Sequence, residues 1–559
     1  MTSGRAGDMT EKAKDQSDWA LLRAAFRTSV PVRLQPLLSR PEFWILVAVF
    51  LTLLIFYDGI GRRDAEQYIR GARAWLDQGL YLGQDHWELR HPFVLPIAVS
   101  FKLFGLGNLQ ATLPNFLYTA LLALLSYRAA LPRFGQLTAF LFGLFAGTSA
   151  LTAILAAEVR IFGPEIFFAA LGVWLFTKAS DGGEKPARLM AFSALACFLS
   201  WLCRESAAYL PMAIGLLSLV AVFWRKTLSF LSFAAFCLCY WALLAAEALS
   251  YFLLTGDPLY RYRTDLGHGG GGEGTGLMEI AKPPLEFLIK PLVGTLSAPS
   301  SAPFLVTVTG ALIVFALRKR LPAALKSWPV AVLAFTSFVA VILNAFVFSL
   351  EDPYYYPFLQ YTAMLVAAIL LAKLRPHLTG GAFAAVVGAV VLIDWAGADF
   401  RKHGRYEDAR FVAELSSPDR PVFTDPIPMI RARWHLGYTM DDEAEIEHQV
   451  RWVGLVEEEG RQCDVVLVSL ETGLELYEAQ TTLSEPNLRF LEYYEVKPRR
   501  LTHRVIHALP AWLPIPRYAR KLAEPQPMMA FHVDRGSRYA CPMKEALYFH
   551  GPNVWRSSP

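Results

Sequence analysis

Runs of apolar residues recur along the first four hundred positions, separated by short stretches that gather nearly all the charge. The first runs from Phe43 to Tyr57. Others follow at about 111 to 127, 135 to 157, 164 to 178, 188 to 203, 207 to 223, 229 to 254, 302 to 317, 329 to 349, 357 to 372 and 380 to 397. A hydrocarbon core of about 30 Å needs roughly 20 apolar residues in a helix, so the pattern predicts about eleven transmembrane helices. A further apolar stretch, His91 to Gly107, is short and carries Pro92 and Pro96, which predicts an interfacial or re-entrant helix.

Lysine and arginine orient these spans. The first 40 residues are polar and basic and precede no small-residue cleavage site, so residues 1–42 read as a cytoplasmic tail. With that end inside, the connectors holding Arg128 and Arg133, Lys178 with Lys185 and Arg188, Arg225 and Lys226, Arg318 to Arg320 with Lys326, and Lys373 with Arg375 all fall inside. The connectors at 58 to 110, 158 to 164, 255 to 300 and 350 to 356 fall outside.

Past residue 400 the pattern changes. Val465 to Val468 and Ala530 to Val533 read as buried strands, and acidic helical faces occur around Asp441 to Glu447 and Glu457 to Glu459. The predicted organisation is therefore a polytopic α-helical membrane domain over 43–399 and a soluble extracytoplasmic α/β domain over 400–559.

Composition agrees with this picture and narrows the function. Hydrophobic residues make up 54% and charged residues 18% of the 559, with a mean hydropathy of +0.33, which argues against several separate soluble cores. A net charge of +4 with no basic stripe excludes a nucleic-acid binder. Cys197, Cys203, Cys237 and Cys239 lie in apolar runs as packing residues, whereas Cys463 and Cys541 lie where a disulfide is permitted. Neither CxxC nor HExxH occurs.

Ionisable residues collect at the outer ends of the runs. In the first outer loop, Tyr68, Ala72, Trp75 and Leu76 recur on one helical face, predicting a helix from Asp64 to Gln78 lying flat on the bilayer. Asp64 with Gln67 fits a capping box, and a carboxylate at a helix start also points toward whatever binds above it, as a general base must. Glu66 projects to nearly the opposite side of that helix. The turn Glu158-Val159-Arg160-Ile161-Phe162-Gly163-Pro164-Glu165 and the pair Arg204-Glu205 place charges where burial is costly, the mark of a pathway or a site. A fourth loop carries Arg261 and Arg263 ahead of seven glycines between Gly267 and Gly276, a slack linker or a flexible lid. An aromatic rim stands at Tyr354, Tyr355 and Tyr356.

In this order, Asp64-Ala65-Glu66, Trp87-Glu88-Leu89-Arg90-His91-Pro92-Phe93 leading into Phe101-Lys102-Leu103-Phe104-Gly105, the Arg160 to Glu165 turn and Tyr355-Tyr356-x-x-Leu359 resemble the GT-C superfamily of polyprenyl-phosphate-sugar glycosyltransferases. The likeness is strongest to bacterial relatives of the protein O-mannosyltransferases and of the lipid A aminoarabinose transferase. The family's basic-Pro-Pro motif stands here as Arg90-His91-Pro92.

The resemblance implies a multi-pass enzyme of the inner membrane whose site lies outside the cytoplasm. It would move a sugar, with inversion, from a polyprenyl phosphate to a glycan, lipid or protein acceptor. Asp64 would be the base, with Glu66 next in line, and Glu158 or Glu165 would orient the acceptor or a divalent ion. Arg90, His91 and Arg204 would hold the lipid phosphate, with Arg261 and Arg263 as alternative cations, and Glu88, Arg160, Tyr355 and Tyr356 would complete the substrate contacts. The physical case is independent of the likeness: such a donor needs an apolar groove, a surface cation and a carboxylate close together. The competing classes are a secondary transporter or flippase, which should show internal repeats, and a polysaccharide polymerase or ligase, with key arginines in a late outer loop.

Overall fold

The computed structural model describes residues 39–57, 59, 63–268, 322–344 and 355–401, with parts of 303–313 and of 411–533; for Arg63, Asp64, 265–268 and 396–401 it describes the backbone alone. Its helices, in chain order, are α1 (Pro41–Ile55), α2 (Arg63–Gln78), α3 (His91–Phe104), α4 (Asn108–Thr148), α5 (Ala150–Ala156), α6 (Phe162–Ser180), α7 (Pro186–Cys203), α8 (Tyr209–Leu219), α9 (Phe230–Thr255), α10 (Tyr260–His268), α11 (Trp328–Ile342), α12 (Pro357–Leu374) and α13 (Gly380–Arg401). Among the described residues, five stretches are long and apolar enough to cross a bilayer: α4, α7, Glu205–Trp224, α9 and Pro357–His377. The chain is an integral membrane protein.

Two compact units divide the chain. The first comprises residues up to Tyr57, Leu82–Pro96 and Leu113–Ala398; the second comprises Asp58–Tyr81, Ile97–Thr112 and Asp399–Pro559.

In the first unit the helices approach closely because small residues face one another. Between apolar helices in lipid the driving force is packing and not the hydrophobic effect, so backbone proximity matters. On α4, Gly143 and Gly147 lie against Ile45 and Val49 of α1 and against Ala123, where any side chain would collide. At the α6–α7 contact the Ser193 hydroxyl donates to the Gly172 carbonyl at 2.7 Å. Deep in the bundle the Tyr361 hydroxyl meets Ser126 at 2.8 Å and accepts from the Trp174 indole at 3.0 Å, tying α12, α4 and α6 together.

Three features differ in detail from the sequence pattern. The runs at 111 to 127 and 135 to 157 are joined as α4, kinked at Gly135 with φ of 80°. The second of them is then interrupted at Ser149, an extended residue whose hydroxyl caps α5. Partners from α13 stabilise that break: the Ala150 amide donates to the Asp394 carboxylate at 2.7 Å, and the Trp395 indole donates to the Thr148 carbonyl at 3.1 Å. Backbone groups freed inside a membrane must find such partners. Helix α2 starts at Arg63, so Asp64 sits within its first turn and not at the cap position. Its buried face is Ala65, Tyr68, Ile69 and Ala72, one turn earlier than the face read from periodicity, while Arg70 and Asp77 are exposed. Helix α3, 14 residues with Pro96 inside, spans about 21 Å at 1.5 Å per residue, too short to cross a bilayer.

The second unit contains a five-stranded sheet in the order β2-β1-β3-β5-β4, made of β1 (Val422–Thr424), β2 (Val450–Trp452), β3 (Val465–Val468), β4 (Leu488–Tyr494) and β5 (Met528–Val533). β1 pairs in parallel with β2 and β3, and β5 runs antiparallel to β3 and β4. Phe411, Val412, Val422, Ala432 and Val450 form a small buried cluster. Cys463, Cys541 and Gly269 to Gly276 lie outside the described residues.

Candidate functional site

The charged positions singled out in the sequence converge in the first unit. Pairing them starts from the turn after α5. There Glu158, 3% exposed in its side chain, forms an ion pair with the Arg160 Nε at 2.6 Å. The turn is shaped from α4: the Asn115 amide donates to the carbonyls of Glu158 at 2.7 Å and Arg160 at 2.9 Å, with a longer contact to Leu155. A side chain at Gly163 would press on the same Asn115 amide oxygen at 2.6 Å, so glycine is what lets α6 begin there.

At the start of α6, Glu165 lies 3.7 Å from the Arg204 guanidinium, and its carbonyl accepts from Ser200 of α7. Arg204 ends α7 in an extended conformation, which turns Arg204 and Glu205 sideways out of the helical path. Its guanidinium lies over two rings, Tyr355 at 4.0 Å and Phe162 at 4.6 Å. Tyr355 is positioned in turn by Asn344, whose amide donates to the Tyr355 carbonyl at 2.8 Å. Tyr356 is buried immediately before α12.

Glu205 is shared. One of its oxygens accepts from Arg261 at 2.6 Å and the other stands 3.8 Å from Arg90. Arg261 also donates to Glu247 of α9 at 3.0 Å and to the Trp201 carbonyl at 2.8 Å. Burial by itself lowers the Arg261 pKa, but Glu205 and Glu247 more than reverse this and hold it above its ordinary value.

Arg90 is brought to this point by a tight loop. Asp85 accepts from the amides of Trp87 and Glu88, and the fully buried Glu88 carboxylate accepts from the Gln84 amide at 2.7 Å. Tyr260 of α10 donates to the Gly83 carbonyl at 2.9 Å. Glu88 thus spends a carboxylate oxygen on shaping the backbone.

Four arginines (90, 160, 204, 261) therefore meet four glutamates (158, 165, 205, 247), a balanced set. Their bonding is uneven. Arg261 is hydrogen-bonded to two carboxylates and Arg160 is ion-paired with one at 2.6 Å, whereas Arg90 and Arg204 stand 3.8 and 3.7 Å from Glu205 and Glu165.

Not every expected residue joins the set. His91, beside Arg90, has its pKa pushed down to about 4 by burial and then by the Arg261 charge. At that value it is neutral at physiological pH, so a contact from His91 to a phosphate would be a hydrogen bond and not an ion pair. Arg263 is largely exposed and pairs with Asp257 at 3.3 Å. Asp64 and Glu66 belong to the second unit. Glu158 and Glu165 each lie against a guanidinium, a poor setting for a divalent ion, and among the described residues no three His, Cys, Asp or Glu side chains cluster as metal ligands.

Sequence reasoning missed Asn115 and Glu247. Asn115 is the one amide and Glu247 the one charged residue in its apolar run, which is itself a signal of a buried partner. An apolar cleft adjoins the site, lined by Leu122, Leu151, Leu155, Phe162, Ile166 and Pro357.

Comparison with solved structures finds three likenesses, each at a TM-score below 0.5. The chain is similar to ArnT from Cupriavidus metallidurans in the apo state, at 13% identity over 87% of this chain and 97% of that one, with a TM-score of 0.49. It is also similar to the Archaeoglobus fulgidus oligosaccharyltransferase in complex with Zn and sulfate, at 13% identity over 80% and 72% of the two chains and a TM-score of 0.46. The arabinofuranosyltransferase AftD from Mycobacteria matches at 13% identity over 88% of this chain and 41% of that one, with a TM-score of 0.41. All three are GT-C glycosyltransferases. At these identities no residue role, substrate or activity passes from them to this chain. No family model matches the sequence, and no curated protein matches it.

Proposed function

We propose that the chain is a membrane glycosyltransferase that moves a sugar, with inversion, from a polyprenyl-phosphate donor to an acceptor outside the cytoplasm. The supporting observation is the convergence of Arg90 and Arg204 with Glu205 and Glu165 in one buried cluster, where the Arg204 guanidinium lies over the Phe162 and Tyr355 rings. A lipid phosphate head needs charge-assisted donors of this kind.

In the proposed reaction the acceptor hydroxyl attacks the anomeric carbon while its proton passes to a carboxylate base, the role expected from the sequence for Asp64. The bond from that carbon to the phosphate oxygen breaks, and the electron pair leaves with the lipid phosphate, whose charge Arg90 and Arg204 stabilise. Glu158, fixed by Arg160 and by the Asn115-shaped turn, is the second carboxylate and orients the acceptor. The topology assigned from the sequence places these groups outside, with 400–559 as an extracytoplasmic α/β domain. Pairing of side chains supports that division: residues assigned inside meet each other, Arg128 with Glu42 at 2.8 Å and Arg133 with Asp181 at 2.9 Å, while those assigned outside build the candidate site.

The test is lipid analysis of the detergent-extracted protein by mass spectrometry, followed by transfer from a radiolabelled polyprenyl-phosphate sugar. A polyprenyl phosphate in the purified wild type, lost together with transfer in Arg90→Ala, is the expected result. Solute uptake into proteoliposomes without transfer would establish the transporter reading instead.

A further inference from the structure

Glu205 is placed between two arginines that treat it differently. Arg261 donates to it at 2.6 Å and is anchored besides by Glu247 and the Trp201 carbonyl, so it belongs to the scaffold. Arg90 stands 3.8 Å from the other oxygen of the same carboxylate. The side chains of Arg90 and Glu205 are only 10% and 13% exposed, and a buried guanidinium is costly without counter-charge, which the Glu205 carboxylate helps to supply.

Resting on the lipid-phosphate reading above, we infer that Glu205 is an internal counter-ion that competes with the donor phosphate for Arg90 and thereby sets how readily the spent lipid phosphate leaves. Three features carry this. The Glu205 carboxylate is held in place from behind by Arg261, so it remains when Arg90 turns to a ligand. The contact to Arg90 is the longer of the two that Glu205 makes with arginines, 3.8 Å against 2.6 Å, so it is the one a phosphate displaces. A phosphate at Arg90 would face the Glu205 carboxylate as a like charge, which weakens binding; the same repulsion speeds release of a product that carries more negative charge than the donor.

Titration of purified protein in micelles with a long-chain polyprenyl monophosphate tests this, with the corresponding polyprenol as blank and binding read by thermal shift and by calorimetry. Glu205→Gln is expected to bind the lipid phosphate about tenfold more tightly than wild type, since like-charge juxtaposition costs this much or more. Damage to the fold does not produce a gain of affinity. Glu247→Gln removes an equal charge from the other side of Arg261 and is expected to lower melting without tightening the lipid. If the amide variant does not fold, Glu205→Asp keeps the counter-charge of Arg261 while withdrawing from Arg90, and is expected to bind about threefold more tightly.

Unchanged or weaker binding in the folded Glu205 variant overturns the inference and leaves the proposed function standing. Equal tightening in both glutamine variants also overturns it, because the effect is then one of overall charge. A wild type that binds the polyprenol as well as its phosphate overturns the proposed function itself.

Discussion

The Arg204 guanidinium lies 4.0 Å from the centroid of the Tyr355 ring. This contact joins the break after α7 to the segment that opens α12, and is closer than the Arg204 contact to Phe162 at 4.6 Å. What Arg204 needs from Tyr355 is the ring face, since the attraction is to the ring quadrupole. Tyr355→Phe is therefore expected to melt within about a degree of wild type, and Tyr355→Leu to lose about 1–2 kcal/mol of stability. Calorimetric melting in one detergent compares the two; equal losses in Phe and Leu would assign the stabilisation to the hydroxyl.

The turn bearing Glu158 and Arg160 depends on an amide that can only donate to it. In Asn115→Leu the carbonyls of Glu158 and Arg160 lose their donor in a buried setting, at an expected cost of about 3 kcal/mol. Asn115→Asp replaces that donor with an acceptor and is expected to be worse. Gly163→Ala should resemble the leucine variant, because its Cβ would meet the Asn115 amide oxygen. Melting temperatures of the three variants check the order.

Asp64 distinguishes catalysis from helix formation. An amide of the same shape serves the first turn of α2 almost as well as the carboxylate but takes no proton at neutral pH. Asp64→Asn is expected to lower transfer by about 10² to 10⁴ with melting and lipid binding near wild type. Transfer within about tenfold of wild type removes Asp64 as the base and turns attention to Glu66.

His91 makes stability depend on pH. Its folded pKa of about 4 lies below the ordinary histidine value of 6.5, so between those values the unfolded chain binds a proton that the folded chain refuses. Its contribution is complete above pH 6.5 and declines as pH falls toward 4, by roughly 3 kcal/mol at most. His91→Gln should flatten that part of the melting profile between pH 7 and pH 5. A slope unchanged by the substitution shows that other groups carry it.

The sequence by itself determined the elements and the loci of charge. Apolar runs can lie only in lipid or in a bundle, so the spans stand out by hydropathy alone, and α2 is written in the spacing of Tyr68 and Ala72. The Glu158 to Glu165 turn and Arg204-Glu205 were legible because charge at the end of an apolar run is too costly to be incidental. Only the tertiary structure decided the pairings. Arg261 meets Glu247 and Glu205 across 14 and 56 positions of chain, and Asn115 reaches Arg160 across 45. These contacts depend on which helix ends become neighbours, and periodicity within a helix carries no record of its neighbours. The same holds for the break at Ser149, stabilised by Asp394 and Trp395 from α13, and for the neutral state of His91, which follows from burial and from a distant arginine. Hydropathy fixes where a chain meets lipid; how its buried charges are neutralised is a property of the packed bundle.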